Sequence, residues 1–225
     1  MYNITLISTN HSEGGRCNSA ELFKIIESLR PEVIFEEMPS KLHSLVYSDS
    51  FPALPDDAPL ELKCVKNYLQ KYDVKNIPVD IDVNPIRSND ETFMLKAFES
   101  DEAHKKFQRE YNALKSAEGF DFFNSHKFIN FSDRQTQIQE KIIESSTNKT
   151  ILDKVYKAFL WEIELRENSM LENIHSYCKE SHFERGVFLL GCGHRKAMME
   201  KIFRVKELSE VRLSWNIYYG NLTSP

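Results

Sequence analysis

Short, almost continuously apolar runs alternate with amphipathic stretches through the first third of this chain. Residues 4–7 (Ile-Thr-Leu-Ile) read as a first strand. Asn18-Ser19-Ala20-Glu21 has the form of a capping box and predicts a helix to about residue 29, where Pro31 breaks the chain. Residues 33–35 (Val-Ile-Phe) carry no polar alternation, the mark of a strand covered on both faces. A loop rich in Ser, Asp and Pro follows over 48–59, then a helix over 60–72 and a third strand over 74–81. Strand, helix, strand, helix, strand is the pattern of a parallel sheet.

From 88 to 177 there is almost no strand signal. Ser88-Asn89-Asp90-Glu91 and Ser132-Asp133-Arg134-Gln135 have capping-box form, Phe107, Tyr111 and Leu114 keep helical spacing, and a long helix is expected over 150–179. Strand character returns at 187–190, a helix follows over 195–203, and the aromatic-rich alternation of 211–219 reads as a last strand. The expected fold is a single α/β domain over 1–225, with a mixed, largely parallel central sheet and flanking helices. The helical block 88–180 lies between the sheet-forming segments, either as a cover on the strand ends or as ordinary helices packed on the sheet.

Composition changes this picture little. The chain has 225 residues, 41% hydrophobic and 28% charged, with a formal net charge of −5. That is enough for a core without staples. No basic block suggests nucleic acid, and no apolar run approaches the roughly 18 residues needed to span a bilayer. Cys17, Cys64, Cys178 and Cys192 form no C-x-x-C pair, as expected of reduced thiols in a cytoplasmic protein.

Four apolar strands run into polar residues: Ser8-Thr9-Asn10-His11, Glu36-Glu37, Asp80-Ile81-Asp82 and Gly191-Cys192-Gly193-His194. Ligands of open parallel sheets bind outside the carboxyl ends of the strands, so two histidines and several carboxylates are expected to converge there. Each alone has a bland reading as a loop, cap or turn residue; their recurrence at successive strand ends does not. Gly191 and Gly193 suit a tight turn, but the third glycine of a dinucleotide fingerprint is missing. Cys192 as a nucleophile ranks low. On the long helix Leu152, Val155, Phe159, Ile163, Arg166, Met170, Ile174 and Tyr177 recur at steps of three or four. Arg166 inside an apolar stripe needs a carboxylate or an anionic ligand.

In this order and spacing the motifs resemble the TraB/TIKI group and, more distantly, the erythromycin-esterase and ChaN-like proteins of the same superfamily. That superfamily carries a Gly-x-x-His after the first strand and another late in the chain. Here the late one is Gly191 to His194, and the early one begins with Ser8 where glycine is usual. Pro31-Glu32-Val33-Ile34-Phe35-Glu36-Glu37 fits the family's P-D-x-V-x-x-E strand and selects Glu37 over Glu36. Val79-Asp80-Ile81-Asp82 and Arg166-Glu167-Asn168-Ser169-Met170 match two further motifs. The resemblance implies several activities: TIKI-like members are metal-dependent peptidases, erythromycin-esterase members hydrolyse an ester with a histidine base, and ChaN-like members bind haem.

The expectation is therefore hydrolysis of an ester or amide bond in a small-molecule or peptide substrate, without a nucleic-acid or membrane partner. His11, Glu37, Arg166 and His194 are the catalytic candidates; Asp80, Asp82, Glu167 and Gly193 are the substrate-binding ones. Two mechanisms follow. In one, His11, Glu37 and His194 ligate a divalent metal whose water attacks the carbonyl; two histidines and a carboxylate are a recognised catalytic set, which favours it. In the other, a histidine oriented by Glu37 is the general base and Arg166 stabilises the oxyanion. The rival is a non-catalytic module of the ChaN-like type, holding haem or another ligand through His11 or His194.

Overall fold

The computed structural model describes residues 2–82, 89–205 and 213–220. Its strands are β1 (Tyr2–Thr9), β2 (Val33–Pro39), β3 (Lys75–Asp80), β4 (Arg185–Gly191) and β5 (Leu213–Ile217). They form one sheet of order β3-β2-β4-β1-β5 in which every pairing is parallel. The helices are α1 (Ser19–Leu29), α2 (Ser40–Val46), α3 (Leu60–Lys71), α4 (Asn89–Ser100), α5 (Glu102–Glu118), α6 (Phe120–Phe123), α7 (His126–Ser145), α8 (Lys149–Glu180) and α9 (Arg195–Val205), with a 3₁₀ turn at Cys192–His194.

The strands are continuously apolar because alternate side chains feed two cores. Ile7, Ile34, Val187 and Leu189 pack beneath α1, α3 and α5–α7. Ile4, Leu6, Val33, Phe35, Phe188 and Leu190 pack on the other face, against the C-terminal half of α8 and against α9. From β1 the chain passes through α1 to β2 on one side; from β4 it passes through α9 to β5 on the other. The two connections leave on opposite faces and run in opposite directions, which opens a crevice at the carboxyl ends of β1 and β4. There Ser8 pairs with Leu190 and Thr9 with Gly191, so the early and late histidine motifs start side by side.

Local signals set several boundaries. The side chain of Asn18 accepts the Glu21 N–H, as the capping box requires, and Arg30 closes α1 in the left-handed region ahead of Pro31. The second box is different. Ser132 lies inside α7, which is capped by Ser125 accepting the Phe128 N–H; Phe128 and Phe131 must already be helical to reach the core. Ser88 lies outside the described residues, as do 211 and 212 of the expected last strand. Helix α2 was not anticipated.

The stripe on α8 is interrupted. Leu152, Met170 and Ile174 are buried, but Phe159 is 38% exposed. With 32 residues the helix is ~48 Å long, more than one core can cover. Its first turns share a small core with Met94, Phe98 and Ile143, its last turns cover the sheet, and the turns between face solvent. Among the described residues no helix is long and apolar enough to cross a membrane.

Candidate active site

Alternation along β2 places Glu37 on the face of Val33 and Phe35, where α8 and the β4–α9 turn approach. Its Oε1 accepts from Arg166 Nη2 at 2.6 Å and lies 3.3 Å from His194 Nε2. Its Oε2 accepts the Gly191 N–H at 2.6 Å. Burial pushes this carboxyl up, but the His194 bond and charge, the Gly191 N–H and Arg166 outweigh it and hold the group down at about 2.

Arg166 bridges Glu37 to Asp80, donating from Nε at 3.1 Å and Nη2 at 2.7 Å to Asp80 Oδ2. The interior position read from the helical stripe thus has the ionic partners it required. The guanidinium side chain remains 25% exposed, and Nη1 makes no hydrogen bond to a described residue. His194 is clamped at both ring nitrogens, Nε2 by Glu37 and Nδ1 by Glu167 at 2.9 Å. Burial lowers its proton affinity, but the two carboxylates raise it to about 9, so the ring is a cation at neutral pH. Lys201 lies 3.3 Å from Glu167. Glu37, Asp80 and Glu167 are thereby balanced by Arg166, His194 and Lys201, which is how buried charge is tolerated.

His11 is different. Its side chain is 67% exposed and its Nδ1 lies 3.3 Å from Glu61 Oε1. Glu61 stands in the first turn of α3, which begins where the Leu60 N–H donates to the His11 carbonyl. Glu61 raises the His11 pKa above 6.5 against the opposing effect of burial; Glu37 raises it further and Arg166 lowers it. Both Glu61 carboxylate oxygens are buried, and neither makes a hydrogen bond to a described residue. His11 Nε2 makes no hydrogen bond to a described residue. His11, Glu36, Glu37 and Glu61 line one cavity of about 130 Å³. Glu36, which the family resemblance set aside, therefore reaches the same space from the opposite face of β2, with Tyr47 donating to it at 2.7 Å.

The remaining candidates divide. Asp80 and Glu167 hold Arg166 and His194 and do not line this cavity. Asp82 is half exposed beside Lys41 at 3.3 Å, outside the network. Gly193 is exposed, with open space where a Cβ would stand, so no close approach demands glycine there. Gly191 does meet that demand: a Cβ would come 3.0 Å from Glu37 Oε2. Cys192 is buried, its thiol pushed up to about 11 by burial, which suits packing and not attack.

Two features were missed. Glu61 had no sequence signal beyond its place at a helix start. Arg195, fully buried, donates to Ser8 Oγ at 3.0 Å, to Asn124 Oδ1 at 3.0 Å, and to the carbonyls of Asn124 and Tyr218. Asn124 also bonds both backbone groups of Ser8. The serine at position 8 is thus an acceptor for an arginine that fixes the turn carrying His194.

The donor set does not fit a divalent metal as it stands. Among the described residues no group of three His, Cys, Asp or Glu side chains is placed to hold one. Both nitrogens of His194 and both oxygens of Glu37 are engaged, and the Arg166 guanidinium on Glu37 would repel a dication. Nor does the cavity suit haem, since sites for drug-sized ligands run to about 300–1,000 Å³. Comparisons with known protein families, with curated proteins and with solved structures give no match.

Proposed function

We propose that this chain hydrolyses an ester or amide bond by general-base catalysis, with His11 as the base. The observation that carries the reading is the His11–Glu61 pair at the mouth of the cavity. The carboxylate stands 3.3 Å from Nδ1, and the His11 side chain is 67% exposed. A carboxylate at that distance orients the ring as a base: Nε2 takes a proton from water while Glu61 stabilises the imidazolium.

Arg166 supplies the positive charge. Its Nε and Nη2 are fixed by Asp80 and Glu37, which leaves Nη1 to donate to the oxyanion that develops on the carbonyl. Pre-set donors of this kind need no reorganisation during reaction. His194, clamped as a cation, is a positioning residue for Glu37 and through it for Arg166. The resemblance to the erythromycin-esterase branch supports the same chemistry, since a histidine base is proposed there.

The test is a panel of p-nitrophenyl esters and peptide amides assayed with the unmodified chain, with His11→Ala, and with chelator present. The expected result is hydrolysis insensitive to chelator and reduced about 10²-fold or more in the variant. Equal rates in the two proteins would remove His11 from the mechanism. Loss of activity in chelator would restore the metal.

A further inference from the structure

The cavity has two kinds of surface. The walls are apolar: Met38 after β2, Leu42 on α2, Pro59 and Leu62 at the start of α3, and Leu189 on β4. The buried carboxyls of Glu36, Glu37 and Glu61 also line the cavity, beside His11. No lysine or arginine lines it. The volume, about 130 Å³, is slightly below that of an apolar cavity known to admit benzene, about 150 Å³.

We infer that this cavity receives the acyl chain of the substrate, and that the chain is small, uncharged and apolar, of about four to six carbon atoms by comparison with that benzene-sized space. The inference rests on the hydrolase reading and names its substrate class. The orientation follows from the proton path. Water oxygen bonds to the carbonyl carbon, and its proton passes to His11 Nε2. The bond from carbon to the leaving oxygen or nitrogen then breaks, and His11 returns the proton to that atom. Water and leaving group both need the His11 ring, whose side chain is 67% exposed, so both stand on the solvent side. The acyl chain is left with the inner side, where the apolar walls stand.

The lining carboxyls decide charge. An acyl chain ending in a carboxylate would place a second anion among Glu36, Glu37 and Glu61 with no cation on the cavity wall to meet it. Like charges close together in a poorly hydrated space repel strongly.

The experiment compares p-nitrophenyl acetate, butyrate, hexanoate, decanoate and hemisuccinate with the unmodified chain and with Leu42→Ala and Leu42→Trp. Leu42 is 46% exposed, so either change should leave the fold intact. Butyrate or hexanoate should give the highest kcat/KM, and hemisuccinate should be at least tenfold poorer than butyrate. Leu42→Ala should shift the optimum to longer chains; Leu42→Trp should reduce hexanoate at least tenfold more than acetate. A flat profile, an optimum at acetate or decanoate, or a preference for hemisuccinate would overturn the inference. Ligand-observed NMR with isovaleramide and isovalerate separates this from the hydrolase reading. Binding of the amide, loss of that binding in Leu42→Trp and tenfold weaker binding of the acid, with no ester cleaved, would retain the cavity's preference and reject catalysis. No binding of the amide would reject the preference itself.

Discussion

Gly191 and Glu37 meet across the crevice: the backbone N–H of one donates to the carboxylate of the other at 2.6 Å, and no side chain fits between them. A Cβ at 191 would lie 3.0 Å from the accepting oxygen. Glu37 cannot simply retreat, because Arg166 and His194 hold its other oxygen. Gly191→Ala should therefore cost about 1–3 kcal/mol, as overpacking usually does. Urea denaturation measures it; an unchanged midpoint would mean that the carboxylate swings aside freely.

The His11–Glu61 pair makes a prediction in pH. His11 acts as base only when neutral, and Glu61 raises its pKa above 6.5. The acid limb of kcat/KM should therefore fall above pH 6.5 in the unmodified chain. In Glu61→Gln the limb should move to lower pH while the plateau rate drops. A limb that stays in place would uncouple the two residues.

Arg166→Met keeps most of the stem and removes the fork. It leaves Glu37 and Asp80 buried with one cation fewer, so stability should drop by about 3–5 kcal/mol. In a double-mutant cycle with Glu37→Gln the two changes should couple by about 0.5–3 kcal/mol. Additive effects would place the guanidinium elsewhere. Where the variant remains folded, turnover should also fall by about 10²-fold or more.

Stability should have a plateau in pH. His194 titrates at about 9 when folded against 6.5 ordinarily, so its contribution is complete below 6.5 and disappears as pH rises toward 9. Glu37 titrates at about 2 against 4.5, so its contribution is complete above 4.5 and disappears as pH falls toward 2. Thermal melts across this range should show His194→Gln flattening the alkaline decline. If the variant declines as steeply as the unmodified chain, His194 is not the group responsible.

Ser8→Gly tests the acceptor at the end of β1. It removes an acceptor from Arg195, whose pKa burial lowers to about 10 and whose hydrogen bonds to Ser8, Asn124 and Tyr218 all go to neutral oxygens. A loss of about 1–3 kcal/mol in chemical denaturation is expected, the cost of leaving a buried donor short. Glycine tolerated without loss would show that Asn124 alone suffices.

The sequence by itself determined the strands and where their polar ends fall. A strand covered on both faces must be apolar throughout, so Ile34, Val187 and Phe188 announce themselves, and the break to Glu37, Asp80 or His194 marks each end. Helical spacing likewise placed Arg166 on the side of α8 that meets the sheet, because a 3.6-residue period is a local property. Only the tertiary structure decided what these residues do. Nothing local says that β4 enters between β2 and β1, yet that order brings Gly191 to Glu37 and Ser8 to Arg195. Nothing local says that α3 starts beside the loop after β1, which turns Glu61 from a first-turn acid into the partner of His11. The two histidines look alike in the chain. One is clamped between carboxylates from β2 and α8 and becomes a fixed cation; the other stands largely exposed beside a single carboxylate. The difference lies in the side chains around them, which come from segments far apart in sequence.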